Sequence, residues 1–192
     1  MINSAEMSGL ENLIRWVNSD LYQRRFEEQL RACPVLAIEK DEFGTTLLMV
    51  AADAGNISAV RCLCESGAEV NAVSESGEIA IINVVRGLQN ERARFDMECE
   101  IRIEIINYLV SCGANPNALG YQGCSALHWA IIYGYVDFVK CLLSVGGDPN
   151  VRLCDPPSCE SGYDLVNSSR FRGTNAQRKY ISDLLGGVQS DK

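Results

Sequence analysis

Glycines recur along this chain at a fixed spacing, and that spacing limits the available folds more than any other feature. Gly44, Gly77 and Gly123 open stretches of one kind: "GTTLLMVAADAGNISAVRCLCESGAEVNA", then "GEIAIINVVRGL" resuming as "EIINYLVSCGANPNA", then "GCSALHWAIIYGYVDFVKCLLSVGGDPNV". Gly44 and Gly77 are 33 residues apart, and Gly77 and Gly123 are 46 apart, which is the same period with 13 residues inserted. Gly67, Gly113 and Gly146 keep the register, at 46 and then 33. Self-similarity at such a period marks an array in which each unit buries its apolar face only against its neighbours.

Each unit reads as turn, helix, turn, helix, turn. In the third, Ser125 opens a helix, and Leu127, Ala130 and Ile131 mark its buried side at helical spacing. Gly134 breaks that helix. Val136, Val139, Leu142 and Leu143 then outline a second amphipathic helix, which ends at Gly146-Gly147, where a left-handed residue is wanted. The first unit repeats the scheme with Leu48, Ala51 and Ala52, then Gly55, then Ile57, Val60 and Leu63, then Gly67.

These motifs resemble the ankyrin repeat. The family's G-x-T-P-L-H-x-A-A-x-x-G-H is matched by Gly123, Ser125-Ala126-Leu127-His128, Ala130 and Gly134, and by Gly44, Thr46-Leu47-Leu48-Met49, Ala51-Ala52 and Gly55-Asn56. Its L-L-x-x-G-A-x-x-N is matched by Leu63-Cys64, Gly67-Ala68 and Asn71, by Leu109-Val110, Gly113-Ala114 and Asn117, and by Leu142-Leu143, Gly146-Gly147 and Asn150. The resemblance implies an all-α solenoid with short hairpin loops. Matching repeats span 41–73, 74–119 and 120–152, and a charged N-terminal cap (1–40) and a degenerate C-terminal cap (153–192) complete a single domain of about five helix pairs.

The insert lies between the two helices of the second unit, where Leu88 stands in place of the usual Gly and Val84-Val85 in place of Ala-Ala. Eight of the fourteen residues from Glu91 to Glu104 are charged with interleaved signs, a pattern that favours helix. It predicts a second helix extended at its N-terminal end and projecting from the array, either for a partner or as a tolerated insertion.

Composition narrows the function classes. Apolar residues make up 47% and charged residues 22%, as in a folded chain, and the net charge of −8 disfavours nucleic acid and anionic membranes as partners. The first residues lack a basic start with an apolar run, and no stretch is long and apolar enough for a bilayer. Nine cysteines without framework spacing are read as reduced thiols, giving an expected location in cytoplasm, nucleus or both.

His128 is the only histidine, four residues after Cys124. In the ankyrin pattern it is the structural histidine of T-P-L-H, bonded to backbone of neighbouring turns. A catalytic dyad also needs an oxyanion site and an orienting group, and the sequence offers neither. Cys124, just ahead of the helix, remains open as a reactive thiol. Cys154 and Cys159 in "CDPPSC" supply two thiols, short of a zinc set. Cys62 and Cys141 hold equivalent second-helix positions and read as small buried hydrophobes. There is no phosphate loop. The expectation is a monomer that is not an enzyme and has no cofactor or metal.

Recognition is then the expected role. In the ankyrin family the hairpin tips and exposed side of the first helices form a concave binding surface. The matching positions include Phe43, Asp53, Val73, Glu75, Glu78, Leu119, Tyr121, Cys124, Ile132 and Tyr133. Leu119, Tyr121, Ile132 and Tyr133 are large and apolar where solvent-facing residues would suffice. They are either an interface or a surface that the capping unit covers. The acidic positions favour a protein or peptide partner with apolar and basic residues. The resemblance thus implies an adaptor or inhibitor. Two other readings stand beside it: a thiol-reactive module using Cys124 or the Cys154/Cys159 loop, and the recognition domain of a larger enzyme.

Overall fold

The computed structural model describes residues 14, 23–90, 95–153 and 160–189. Among them the regular structure is helical: α1 (Gln23–Ala32), α2 (Leu47–Ala54), α3 (Ile57–Glu65), α4 (Ala80–Arg86), α5 (Phe95–Ser111), α6 (Ala126–Tyr133), α7 (Val136–Ser144), α8 (Gly162–Asn167) and α9 (Asn175–Gln189). Their only β-type pairing consists of isolated bridges, Lys40–Thr46 and Arg152–Ser161. The expected all-α architecture with short hairpins is what the chain adopts. The first half of the expected N-terminal cap lies outside the described residues, Ile14 apart.

The chain divides into two compact bodies, residues 1–114 and 115–192. In the first, α2 packs on α3 and α4, α1 on α3, and α5 on α3 and α4. Phe26, Leu47, Leu48, Leu63, Ile81, Ile82, Ile105 and Leu109 form its core. In the second, α6 packs on α7 and α8, and α9 on α7 and α8. Its core holds Leu127, Ile131, Phe138, Val139, Leu142, Leu165, Ile181 and Leu185. Full burial of such a side chain contributes about 1.5–3 kcal/mol, so these stripes supply most of the driving force.

Local chemistry sets the helix boundaries. Thr46, Ser125 and Ser161 each accept a hydrogen bond from the backbone N–H three residues on, starting α2, α6 and α8 identically. In α4 the equivalent residue is Ile79, which makes no side-chain cap. After α3, α5 and α7 the chain turns through Gly67, Gly113 and Gly146, with φ of 87°, 93° and 95°. There the N–H of Ala68, Ala114 and Gly147 reaches back to the carbonyl of Leu63, Leu109 and Leu142. Asn71 then donates to the Gly113 carbonyl at 2.8 Å, and Asn117 to the Gly146 carbonyl at 2.9 Å.

The insert lengthens α5 at its N-terminal end as expected, to 17 residues against nine in α3 and in α7. The extension is anchored through Arg102, which is 5% exposed. Its guanidinium donates to the carbonyls of Val84 (2.8 Å), Asp53 (2.7 Å) and Ala52 (3.2 Å), the last turns of α4 and α2. Helix C-termini leave carbonyls without intrahelical donors and carry partial negative charge, so a guanidinium there satisfies both. Gly55 and Gly87 leave the room: a Cβ on either would press against the guanidinium, and on Gly87 also into the Asp53 carbonyl. Residues 91–94 lie outside the described residues.

Candidate protein-binding surface

In the first body the surface is built on two successive hairpins. Asp41 accepts from the N–H of Phe43 (2.9 Å) and of Thr45 (2.7 Å), which curls the first hairpin and presents Phe43 at its tip. Ser74 does the same one period later: its hydroxyl accepts from the Glu78 N–H at 2.9 Å, and its N–H donates to the Glu78 carbonyl. The Glu75 N–H donates to the Phe43 carbonyl at 2.9 Å, tying one tip to the next. Phe43 is 59% exposed and Val73 53% exposed on these adjoining tips. Beside them Glu75 is exposed and Glu78 half-buried, and neither is in an ion pair among the described residues.

Asp53 is exposed at the end of α2, but its charge is already answered. Partial burial raises its pKa, while the Arg102 and Arg86 guanidinium groups pull it down. Asp53 is therefore a poorer match for a partner's basic residue than Glu75.

In the second body the predicted apolar group resolves into an aromatic column. Tyr121 stacks on Trp129 (centroids 6.2 Å apart), Trp129 on Tyr133 (5.6 Å), and Tyr133 meets Tyr135 (5.4 Å). Tyr121, Tyr133 and Leu119 are half-buried, and Trp129 is buried. Ile132 corrects the expectation: it is only 5% exposed. The segment before α9 covers it, with the Arg172 N–H donating to the Ile132 carbonyl at 2.6 Å. The Arg172 guanidinium lies 5.6 Å from the Tyr133 ring centre, a cation–π distance. Gly173 passes so close to Gly134 that a Cβ on either would collide with the other's backbone. The C-terminal segment thus takes part of the surface that the sequence offered to a partner. Trp129 and Tyr135 were absent from the sequence-based set. The four-residue step from Trp129 to Tyr133 on one helix was the available signal.

His128 is committed on both ring nitrogens. The Ser125 N–H donates to Nδ1 at 3.0 Å, so Nε2 carries the proton and donates to the Val151 carbonyl at 2.9 Å. Burial lowers its pKa, only partly offset by the Val151 bond, so the neutral ring is favoured. Cys124 is 1% exposed, its thiol facing the Gln122 carbonyl at 3.6 Å, which corrects its reading as an open turn position. No imidazole nitrogen is left to serve it as a base. Cys141 is buried as expected, whereas Cys62 is half-buried. Cys154 and Cys159 lie outside the described residues. Among the described residues, no three His, Cys, Asp or Glu side chains gather around a metal-sized site.

The helix pairs, capping boxes and hairpin tips agree with two family matches. A model described as ankyrin repeats (3 copies) covers residues 97–152, and one described as ankyrin repeat covers residues 43–75. Ankyrin repeats are present in this chain over those two stretches. Among similar proteins, the B-cell lymphoma 3 protein homolog of Mus musculus is 33% identical over 112 residues, 58% of this chain and 22% of that protein. Palmitoyltransferase Hip14 of Drosophila melanogaster is 30% identical over 127 residues, 66% of this chain and 18% of that protein. Palmitoyltransferase AKR1 of Lachancea kluyveri is 30% identical over 116 residues, 59% of this chain and 15% of that protein. The chain thus spans about a fifth of the length of these relatives. Ankyrin repeats generally serve as protein-interaction modules, and that general role is the one the matches support. No helix among the described residues is long and apolar enough to cross a membrane.

Proposed function

We propose that this protein is a non-enzymatic adaptor or inhibitor whose repeats grip a segment of another protein carrying apolar and basic residues. The observation that carries the reading is the pair of adjoining hairpin tips. Phe43 and Val73 expose large apolar side chains on hairpins held in register by the Glu75–Phe43 backbone bond. The Glu75 and Glu78 carboxylates flank them. An apolar anchor rimmed by charge is the usual anatomy of a binding hot spot. Tyr121 and Tyr133, with Leu119, form a second candidate group, already braced by Trp129 and Arg172 and therefore preorganised.

The test is comparative capture from native cell extract, followed by affinity measurement with the protein retained. Phe43→Ala, Tyr121→Ala and Tyr133→Ala are set against Glu78→Ala, with folding of each checked by circular dichroism. Loss of a hot-spot aromatic costs about 2 kcal/mol, roughly thirtyfold in affinity. Loss of Glu78 should mainly slow association and flatten its salt dependence. Normal binding by all three folded aromatic variants would overturn the assignment.

A second reading draws on the two relatives named palmitoyltransferases, each matched by this chain over less than a fifth of its length. On that reading the repeats are the recognition part of a larger enzyme. A blot of the native protein separates the two, since a band well above the size of 192 residues favours the second.

A further inference from the structure

The segment between α8 and α9, residues 168–174, sits against the aromatic column of the second body and carries the chemistry proposed above for a partner. It reads "SSRFRGT", an aromatic residue between two arginines. The Arg172 N–H donates to the Ile132 carbonyl at 2.6 Å, and the Arg172 guanidinium lies 5.6 Å from the centre of the Tyr133 ring. Phe171 is buried, with the Arg178 guanidinium 4.5 Å from its ring centre, whereas Arg172 is exposed. Gly173 crosses Gly134, and a Cβ on Gly173 would press on the Phe171 ring and on the Gly134 backbone.

We infer that this segment is a built-in stand-in for the partner: the second body takes an extended segment with arginine beside an aromatic residue, and a partner binds there by displacing Arg172 and the backbone around it. The inference rests on the partner-binding reading and adds what the partner carries at this surface and what it must first remove. Both contacts to α6 are of an exchangeable kind. Ile132 lies in the last turn of α6, where a carbonyl has no intrahelical donor, so the N–H of any extended segment satisfies it as well as that of Arg172. A guanidinium resting on a ring at an exposed site is held weakly, so an identical group from outside can take its place. The net charge of −8 draws a basic segment toward the chain. While residues 168–174 are seated, the affinity for such a segment is reduced to the fraction of molecules in which they have lifted.

The experiment uses the full chain and two synthetic peptides, acetylated and amidated: residues 168–174, and the same peptide with Arg172→Ala. Each is titrated by calorimetry into wild type and into Gly173→Ala, whose added Cβ should lift the segment and leave the column intact; folding is checked by circular dichroism. Gly173→Ala should bind the first peptide about tenfold more tightly than wild type does, and the Arg172→Ala peptide about fivefold less tightly than the first. Adding Tyr133→Ala to Gly173→Ala should erase the difference between the peptides. Hydrogen exchange on wild type needs no variant to fold. Corrected for intrinsic rates, the Arg172 N–H should exchange at least about tenfold faster than the Tyr135 N–H, which bonds the Ala130 carbonyl at 2.9 Å. The inference is overturned if Arg172 exchanges as slowly as Tyr135, if folded Gly173→Ala binds no more tightly than wild type, or if the two peptides bind alike. None of these results touches the Phe43 and Val73 tips, so loss of partner capture by Phe43→Ala would still uphold the broader reading.

Discussion

The third repeat and the interrupted second repeat solve the same problem with different chemistry. The third uses local devices: Ser125 caps α6, His128 bonds Ser125 behind it and Val151 ahead, and Gly134 closes the helix at φ 74°. In the second, Ile79 stands at the cap, Ile82 occupies the slot of His128, and Leu88 replaces the closing glycine. What the second repeat lacks locally it recovers through Arg102, a residue of its own extended helix that reaches the carbonyl ends of α4 and of α2. The difference teaches that a helix end needs its carbonyls satisfied, and a guanidinium from a distant part of the sequence serves where a glycine turn does not.

Removing that substitute should produce the largest effect. Arg102→Ala leaves the carbonyls of Ala52, Asp53 and Val84 without this donor and opens a cavity, and should cost about 3 kcal/mol or more in urea unfolding. Arg102→Lys should recover only part, because one ammonium cannot reproduce the planar fork. If Arg102→Ala unfolds like wild type, the long-range clamp is not what completes the second repeat.

The third repeat's local device should be worth somewhat less. His128→Ala loses a buried and a part-buried hydrogen bond and should cost about 2 kcal/mol, with α6 still formed. Loss of a specific activity with stability unchanged would refute the structural role.

Acid should separate the two repeats as well. The folded-state pKa of His128 lies below its ordinary 6.5, so below that pH the unfolded chain binds the extra proton. This contribution to stability is present above pH 6.5 and is lost as pH falls from there through the lowered pKa, with a slope of at most about 1.4 kcal/mol per pH unit. Urea midpoints of wild type and His128→Gln measured across that range should converge as pH falls. Parallel curves would mean that His128 does not titrate differently on folding.

The smallest change is expected from restoring the missing cap. Ile79→Thr should gain about 1 kcal/mol of capping and lose a similar amount of apolar burial, for a net shift below about 1 kcal/mol. A large loss would show that Ile79 is chiefly a core residue, and a clear gain that the second repeat's first helix is limited by its N-terminus.

Much of this comparison was legible in the sequence, because the devices of the third repeat are short-range. Ser125, His128, Gly134 and Gly146 act within a few residues of themselves, so spacing alone located the helices and their ends. The departures at Ile79 and Leu88 were equally visible, as was the longer α5. Arg102 also carried a signal: it lies three, four and seven residues before Ile105, Ile106 and Leu109, on the buried stripe of α5. Its targets carried none, because backbone carbonyls at Ala52, Asp53 and Val84 have no side-chain signature.

The candidate surface divides along the same line. Local turn chemistry at Asp41 and Ser74 puts Phe43 and Val73 at hairpin tips, and sequence can read that. Whether Ile132, Tyr133 and Cys124 meet solvent depended on what packs over them, and only the tertiary structure showed Ile132 and Tyr133 under the Arg172–Gly173 segment. Period and pattern determine which residues each helix turns inward, since the helical repeat is a property of the backbone. Which side chains meet across helices is decided by packing, where close contact between residues far apart in the chain leaves no mark at either position alone.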